Sequence, residues 1–270
     1  MAQERLERAG IESPRLEAQL LATHVLGRDR TWLFAHDDEP FNELAGEVLL
    51  QKRESRYPLA YLLGEREFYG RPLKVNGNVL IPRQETETTL ELGLSSGDQL
   101  QSPRVLDIGT GSGALGLTMK LERPDWRVVC SDISPKALDV AADNASRLKA
   151  DVSFVLGDLL DSFCDGCCEL IVSNPPYVGW EEALGPELEH EPDVALYAPE
   201  SGYAVYRRLS VAARRVLAPG GTLVVEVGYQ QGDSVSRLFQ AAGWAELKRA
   251  TDLLGHDRAL AFGRGESQSY

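Results

Sequence analysis

Val105-Leu106-Asp107-Ile108-Gly109-Thr110-Gly111-Ser112-Gly113 is a short apolar run that breaks into a glycine-rich turn. A run of this length and composition reads as a buried strand. Glycines directly after it let the backbone turn sharply and approach a ligand closely, in torsions closed to other residues. The helix expected next offers unpaired N–H groups at its start, which suit pyrophosphate or a carboxylate. Working outward, the same unit repeats. Val128-Val129-Cys130-Ser131-Asp132 is a second strand, and Ser134-Pro135 caps a helix carrying Leu138, Ala141, Ala142, Ala145 and Leu148 on one face. Val152–Leu156 and Leu170–Ser173 are further strands. A helix from about Tyr203 to Leu217 is expected to stop at Pro219-Gly220-Gly221, with a strand over Thr222–Val227. A last helix near Ser234–Ala242 precedes strands at Glu246–Arg249 and Ala259–Phe262. Alternating strands and helices predict an α/β, doubly wound, seven-stranded Rossmann-like sheet covered on both faces. Ligands bind such sheets beyond the carboxyl ends of the strands.

Upstream of this pattern the chain changes character. About the first 65 residues read as helices. Ser13-Pro14 opens one, Leu16, Leu20, Leu21 and Val25 follow at helical spacing, and Gly27 stops it. A second helix is expected from Asn42 to about Ser55. Phe68, Tyr69, Leu73, Val75, Val79 and Ile81 then alternate with turn formers, which predicts a β-hairpin with Asn76-Gly77 as its tight turn. A short helix from about Glu85 to Leu94 follows, and Ser95-Ser96-Gly97-Asp98 punctuates the chain. The expected divisions are 1–65 (small helical domain), 66–102 (hairpin linker and connecting helix) and 103–270 (α/β domain).

The 270 residues are 43% hydrophobic and 26% charged, ordinary for a globular protein large enough for one catalytic domain and a smaller one. No apolar run approaches the ~20 residues of a membrane helix. The charged opening, Met1 to Gly10, is neither a secretory nor a transit signal, so the expected location is the cytoplasm. A net charge of −13 argues mildly against a nucleic-acid substrate. Nothing marks an oligomer, so a monomer is the default. Cys164, Cys167 and Cys168 contain a C-x-x-C spacing, but no His or second Cys pair lies nearby and a zinc site needs about four ligands. They read as free thiols in a loop, and no metal is expected.

Asp132 ends the second strand, where a carboxylate can accept from both hydroxyls of a ribose. Asp158, after the third strand, can accept from an adenine amino group, and Leu159 can cover the adenine face. Polar residues at strand ends are common, and a glycine loop alone does not separate a nicotinamide cofactor from S-adenosylmethionine. Asn174-Pro175-Pro176-Tyr177, after the fourth strand, makes the choice. Two prolines fix two φ angles and remove two donors. The turn is therefore stiff and rich in acceptors. An NH2 group can give one hydrogen to the Asn174 side-chain oxygen and the other to the Pro175 carbonyl, while Tyr177 packs on the planar group. Holding both hydrogens raises electron density on a delocalised nitrogen and aims it at a sulfonium methyl. The same turn could also be a rigid strand ending, and it would serve adenine as well as an amide.

These residues resemble the bacterial peptide-chain release factor glutamine methyltransferases (the HemK/PrmC family). The resemblance spans nearly the whole chain. It includes Ala22 to Gly27, Pro58 to Gly70, Leu80-Ile81-Pro82-Arg83, Thr86-Glu87, the glycine loop and the proline turn. It extends to Glu191-Pro192, Ala195-Leu196, Tyr206-Arg207 and Asp252 to Arg258. It implies methylation of the side-chain amide of the glutamine in the Gly-Gly-Gln loop of class I release factors, which bears on translation termination. It implies S-adenosylmethionine as donor, S-adenosylhomocysteine as product and no direct nucleic acid partner. It also implies that Gly109, Thr110, Gly111, Ser112, Gly113, Asp132, Leu159 and Asn174 hold the cofactor and Asn174 through Tyr177 the amide. The helical start becomes the substrate-recognition domain. Two positions depart from the family. Gln84-Glu85 stands where Pro-Asp is usual, weakening the helix start, and His190 precedes Glu191-Pro192 where an aromatic is common. His190 reads as a polar substitution, not a base. The competing readings are amino-methylation of adenine in DNA or RNA, and a nucleotide-binding regulator or dehydrogenase on the same sheet; the last leaves Asn174–Tyr177 unexplained.

Overall fold

The computed structural model describes residues 1–36 and 42–265. Five helices form the N-terminal part: α1 (Ala2–Arg8), α2 (Pro14–Leu26), α3 (Arg30–Ala35), α4 (Glu43–Glu54) and α5 (Leu59–Leu63). Local chemistry sets their ends. Asn42 Oδ1 accepts from Ala45 N at 3.1 Å, Asp29 Oδ1 from Trp32 N at 2.7 Å, and Gly27 takes a left-handed φ of 63°. Pro14 opens α2, but Ser13 makes no side-chain cap bond. Of the α2 apolar residues, Leu21 is buried whereas Leu16 is exposed, because the small core is built by Leu6, Ile11 and Leu50 on the other side.

The hairpin forms, with a different turn from the one expected. Strands β1 (Glu65–Phe68) and β2 (Arg71–Lys74) pair antiparallel, with Phe68 opposite Arg71. The two turn residues are therefore Tyr69 and Gly70, at φ 49° and 72°, the primed-turn torsions that match strand twist. The Tyr69 N–H donates to Glu87 Oε1 at 2.8 Å, which holds that residue in place. Asn76-Gly77 forms a local Asx turn instead, Asn76 Oδ1 accepting from Asn78 N at 2.9 Å. Burial decides between the two: Val75, Val79 and Ile81 pack with Tyr61, Ala137 and Val140, so the chain after Lys74 must leave the ladder.

The remaining elements are α6 (Thr86–Gly97), β3 (Arg104–Ile108), α7 (Ala114–Glu122), β4 (Arg127–Asp132), α8 (Pro135–Leu148), β5 (Ser153–Leu156), β6 (Cys168–Ser173), α9 (Asp193–Leu196), α10 (Ala204–Val216), β7 (Leu217–Glu226), α11 (Gly232–Ala241), β8 (Trp244–Thr251) and β9 (Asp257–Arg264). β6, β8 and β9 run longer than expected, and two elements pass through residues expected to break them. α6 runs on through Ser95-Ser96-Gly97, where the Trp126 ring occupies the space of a Gly97 side chain. β7 starts at Leu217, so Pro219-Gly220-Gly221 lies inside the strand beside a register shift in its pairing with β6.

The seven strands lie in the order β5-β4-β3-β6-β7-β9-β8, with β9 antiparallel to β7 and β8 and the others parallel. Side chains alternate across the sheet as a pleat requires. Val105, Leu170, Val172 and Val224 face one core with Leu90, Leu117 and Trp126. Leu106, Ile108, Ile171, Leu223 and Val225 face the other with Tyr206, Leu209 and Phe239. The strand order reverses between β3 and β6, the topological switch point where a crevice must open. The glycine loop leaves β3 and the proline turn leaves β6, so the two motifs become neighbours there, with Ile108 paired to Ser173.

A buried arginine ties the helical part to the loop before α9. Arg53, 2% exposed, pairs with Glu17 of α2 at 2.5 Å and with Glu187 at 2.8 Å. Removing a buried cation leaves two carboxylates without their partner. Arg53→Ala is expected to cost about 3 kcal/mol of stability in urea unfolding; an unchanged midpoint would show that the tie contributes nothing.

Candidate active site

The crevice is a cavity of about 500 Å³. Its wall includes Gly109, Thr110, Gly111, Ser112, Asp132, Asp158, Leu159, Asn174 and Pro176 from the sequence-predicted set. Gly113 starts α7 at φ 86°, behind the loop, and its missing side chain makes room for Leu117. Pro175 is buried, and Tyr177 is half-buried behind Pro176 against Gly228, its carbonyl accepting from Gln231 Nε2 at 2.9 Å. The four turn residues thus divide between cavity wall and support.

Loop geometry follows from its glycines. Gly109, Gly111 and Gly113 take φ of 74°, 55° and 86°. The loop N–H groups, however, are mostly spent on the loop itself. Gly109 N and Thr110 N both donate to Ser131 O at 2.9 Å, Gly113 N to Thr110 O at 2.8 Å, and Gly111 N to Asp132 Oδ2 at 2.9 Å. The expected row of free donors therefore reduces to a loop stapled to β4, shaped to admit a ligand more by its contour than by its N–H groups.

Asp107, which sequence reasoning passed over, is the internal staple. Its Oδ2 accepts from Thr110 Oγ1 at 2.5 Å and from Gly116 N at 2.8 Å. Burial pushes its carboxyl up to about 6, against the pull of those two bonds. Asp132 is also raised by burial, while backbone N–H groups of Ser134, Gly111 and Ile133 pull the other way. Ser134 N reaches Asp132 Oδ1 at 2.9 Å. Each Asp132 oxygen has a second lone pair for a ligand hydroxyl. Asp158 sits at the rim, where Arg208 takes Oδ2 at 2.8 Å. Leu159, at φ 48°, is turned to the cavity by a left-handed backbone.

At the proline turn, Ser173 Oγ donates to Ile108 O at 2.7 Å, locking β6 to β3 just before Asn174. Asn174 Nδ2 donates to Thr86 Oγ1 at 3.3 Å. One amide hydrogen is thereby used and the nitrogen is turned toward Thr86, which leaves the side-chain oxygen as the acceptor for a ligand. Thr86 also lines the cavity and was not among the expected residues, although it stands in the quoted Thr86-Glu87 pair. As the departure at Gln84-Glu85 implied, α6 starts without a side-chain cap. Arg83 is held by a salt bridge to Glu191, whose Oε2 accepts from Ile81 N at 3.0 Å. His190 lies elsewhere, edge-on to Tyr57 at 5.2 Å. Trp180, 61% exposed, stacks on Tyr197 at 4.4 Å at the cavity mouth; an isolated aromatic in a loop carried no signal for that pairing. Cys130 is buried under the glycine loop, and Cys164 is exposed. Among the described residues no three His, Cys, Asp or Glu side chains cluster as a metal site, and no helix is long and apolar enough to cross a membrane.

A seven-stranded sheet with this switch-point crevice defines a Rossmann-like methyltransferase, and the methyltransferase small domain model matches residues 89–185. The PrmC N-terminal domain model matches residues 1–64. The chain belongs to the release factor glutamine methyltransferase family. It is 41% identical to the Deinococcus radiodurans release factor glutamine methyltransferase over 260 residues, covering 94% of this chain and 92% of that one. It is 42% identical to that of Bordetella pertussis over 251 residues, covering 91% and 93%. A solved Pyrococcus furiosus methyltransferase shares the fold, with a TM-score of 0.55 over 83% of this chain and all of its own, at 18% identity.

Proposed function

We propose that this protein transfers a methyl group from S-adenosylmethionine to the side-chain amide nitrogen of the glutamine in the Gly-Gly-Gln loop of class I peptide chain release factors. The observation that carries the reading is the Asn174 side chain, whose nitrogen is bonded to Thr86 and whose oxygen is left as an acceptor beside the glycine loop.

The cofactor fits the residues present. Asp132 has free lone pairs at the end of β4 for two ribose hydroxyls. A side chain at Gly111 would meet nothing within 4 Å, so its bare backbone faces open space. Leu159 and Ile133 offer apolar surface for a base, and Asp158 an acceptor at its edge. When bound, the cofactor supplies an electrophilic methyl on a sulfonium. Asn174 Oδ1 and the Pro175 carbonyl accept the two amide hydrogens of the glutamine. Pro176 on the cavity wall flanks its plane, with Tyr177 packed behind as support. Both acceptors strengthen their bonds as positive charge grows on nitrogen, so they favour the transition state over the ground state. One nitrogen–carbon bond forms as one sulfur–carbon bond breaks, and the nitrogen then releases a proton to solvent. The N-terminal helical domain, residues 1–65, is assigned to holding the release factor, 66–102 to linking and 103–270 to catalysis.

Labelled S-adenosylmethionine incubated in parallel with a release factor, its Gln→Ala loop variant and DNA tests this. Label is expected on the intact factor alone. Label on DNA, or equal label on the variant factor, would overturn the assignment in favour of base methylation or another residue.

A further inference from the structure

The chain between β6 and α10 carries an aromatic pair that the methyl-transfer chemistry above does not use. Trp180 stacks on Tyr197 with ring centroids 4.4 Å apart and planes 11° from parallel. Both residues line the cavity mouth, and Trp180 is 61% exposed. Tyr197 takes one face of the indole, and the rest of the ring is open.

The backbone fixes this pair to the proline turn. Val178, directly after Tyr177, donates its N–H to Leu196 O at 3.0 Å and its carbonyl accepts from Ala198 N at 2.9 Å, a bridge that brackets Tyr197. Tyr197 N donates to Asp193 O at 2.8 Å, closing α9. The chain between the two rings is fastened as well, Glu187 to Arg53 at 2.8 Å and Glu191 Oε2 to Ile81 N at 3.0 Å. A platform held at this many points has little freedom left to lose when a ligand lies on it.

We propose that Trp180, steadied by Tyr197, is a specificity-determining residue: its open face receives the flat peptide groups of the Gly-Gly segment while the neighbouring glutamine reaches Asn174. The inference rests on the methyl-transfer reading above. The place of the pair favours the peptide over the cofactor. Ile133 and Leu159, assigned to the cofactor base, follow β4 and β5, and β3 lies between β4 and β6. Trp180 instead follows the turn that holds the amide and shares the cavity wall with Pro176. A glutamine side chain is short, so the residues beside it must cross the rim next to that turn. A glycine has no Cβ, so its peptide planes can meet a ring face in van der Waals contact, whereas a side chain holds the backbone away. The indole therefore reads the absence of side chains next to the glutamine and disfavours a glutamine in ordinary sequence.

Steady-state methylation of a release factor by the parent, Trp180→Ala and Trp180→Phe, with cofactor Kd from calorimetry, tests this. Trp180→Ala should raise KM for the factor about tenfold, with kcat and cofactor Kd within about threefold, and Trp180→Phe should restore most of the loss. The ring is exposed, so the fold should survive its removal, and retained cofactor binding checks that. Replacing each glycine of the Gly-Gly pair by alanine gives a readout that a merely structural role would not move. In the parent at least one such factor should lose about tenfold in kcat/KM, and in Trp180→Ala the same change should cost less than about threefold. An unchanged KM in Trp180→Ala, or glycine losses equal in the two enzymes, would overturn the proposal. So would a cofactor Kd weakened as much as KM, which would put the ring on the cofactor. A parent that leaves the factor unlabelled removes the methyl-transfer reading and this proposal together; a parent that labels it, matched by Trp180→Ala, removes the proposal alone.

Discussion

Asn174→Ala is expected to lower turnover by about 10²–10³ while cofactor affinity stays within about tenfold, because the lost group is a preorganised acceptor facing the reacting nitrogen. The size follows from what replaces the bond. Water cannot easily stand in for Oδ1 at a crevice wall held by Ser173 on one side and Thr86 on the other. The Pro175 carbonyl would hold one amide hydrogen, but the nitrogen would lose its aim. The cofactor is assigned to Asp132 and the glycine loop, which the substitution leaves intact. Isothermal titration of the cofactor and single-turnover methylation measure the two quantities separately. Near-normal single-turnover rates would refute the role given to Asn174. If cofactor affinity collapses together with the rate, Asn174 supports the cofactor too.

Gly202→Ala is expected to destabilise the protein by about 2–4 kcal/mol and to disturb the same turn from behind. Gly202 sits at φ 88°, where a side chain is strained whatever the space. Its new Cβ would also land on the backbone carbonyl of Tyr177, which has no flexible end to yield. That carbonyl is the one accepting from Gln231 Nε2, so either the β6 turn or the start of α10 must shift. Gly185→Ala is the control. It has ordinary φ and nothing within 4 Å, and should change stability by less than about 0.5 kcal/mol. Urea midpoints compare the two, and a Gly202→Ala variant as stable as Gly185→Ala would show that the loop moves freely.

What could be read from the chain differs by the range over which each feature is encoded. The glycine loop, the acidic strand ends and the proline turn each depend on a few adjacent residues, and each lies at the carboxyl end of a strand as their spacing implied. The hairpin turn went to Tyr69-Gly70 and not to Asn76-Gly77 because the competing preference was settled by burial of Val75, Val79 and Ile81 against α8, far along the chain. The N–H groups of the glycine loop looked free locally, yet the Ser131 carbonyl and Asp132 on the neighbouring strand take those of Gly109, Thr110 and Gly111.

By itself the sequence determined the alternation of strands and helices, and hence the sheet, the crevice at its switch point and the chemistry of an acceptor-rich turn. It also carried the family resemblance that proposes the substrate. Only the tertiary structure decided which side-chain ends face the cavity. Asp107 stands between apolar neighbours in sequence and Thr86 in a polar stretch, and they become the staple of the glycine loop and the partner of Asn174 only when β3, β6 and α6 are packed. The physical reason is that a polar group's role depends on the partner that satisfies it once water is excluded, and those partners come from elsewhere in the chain.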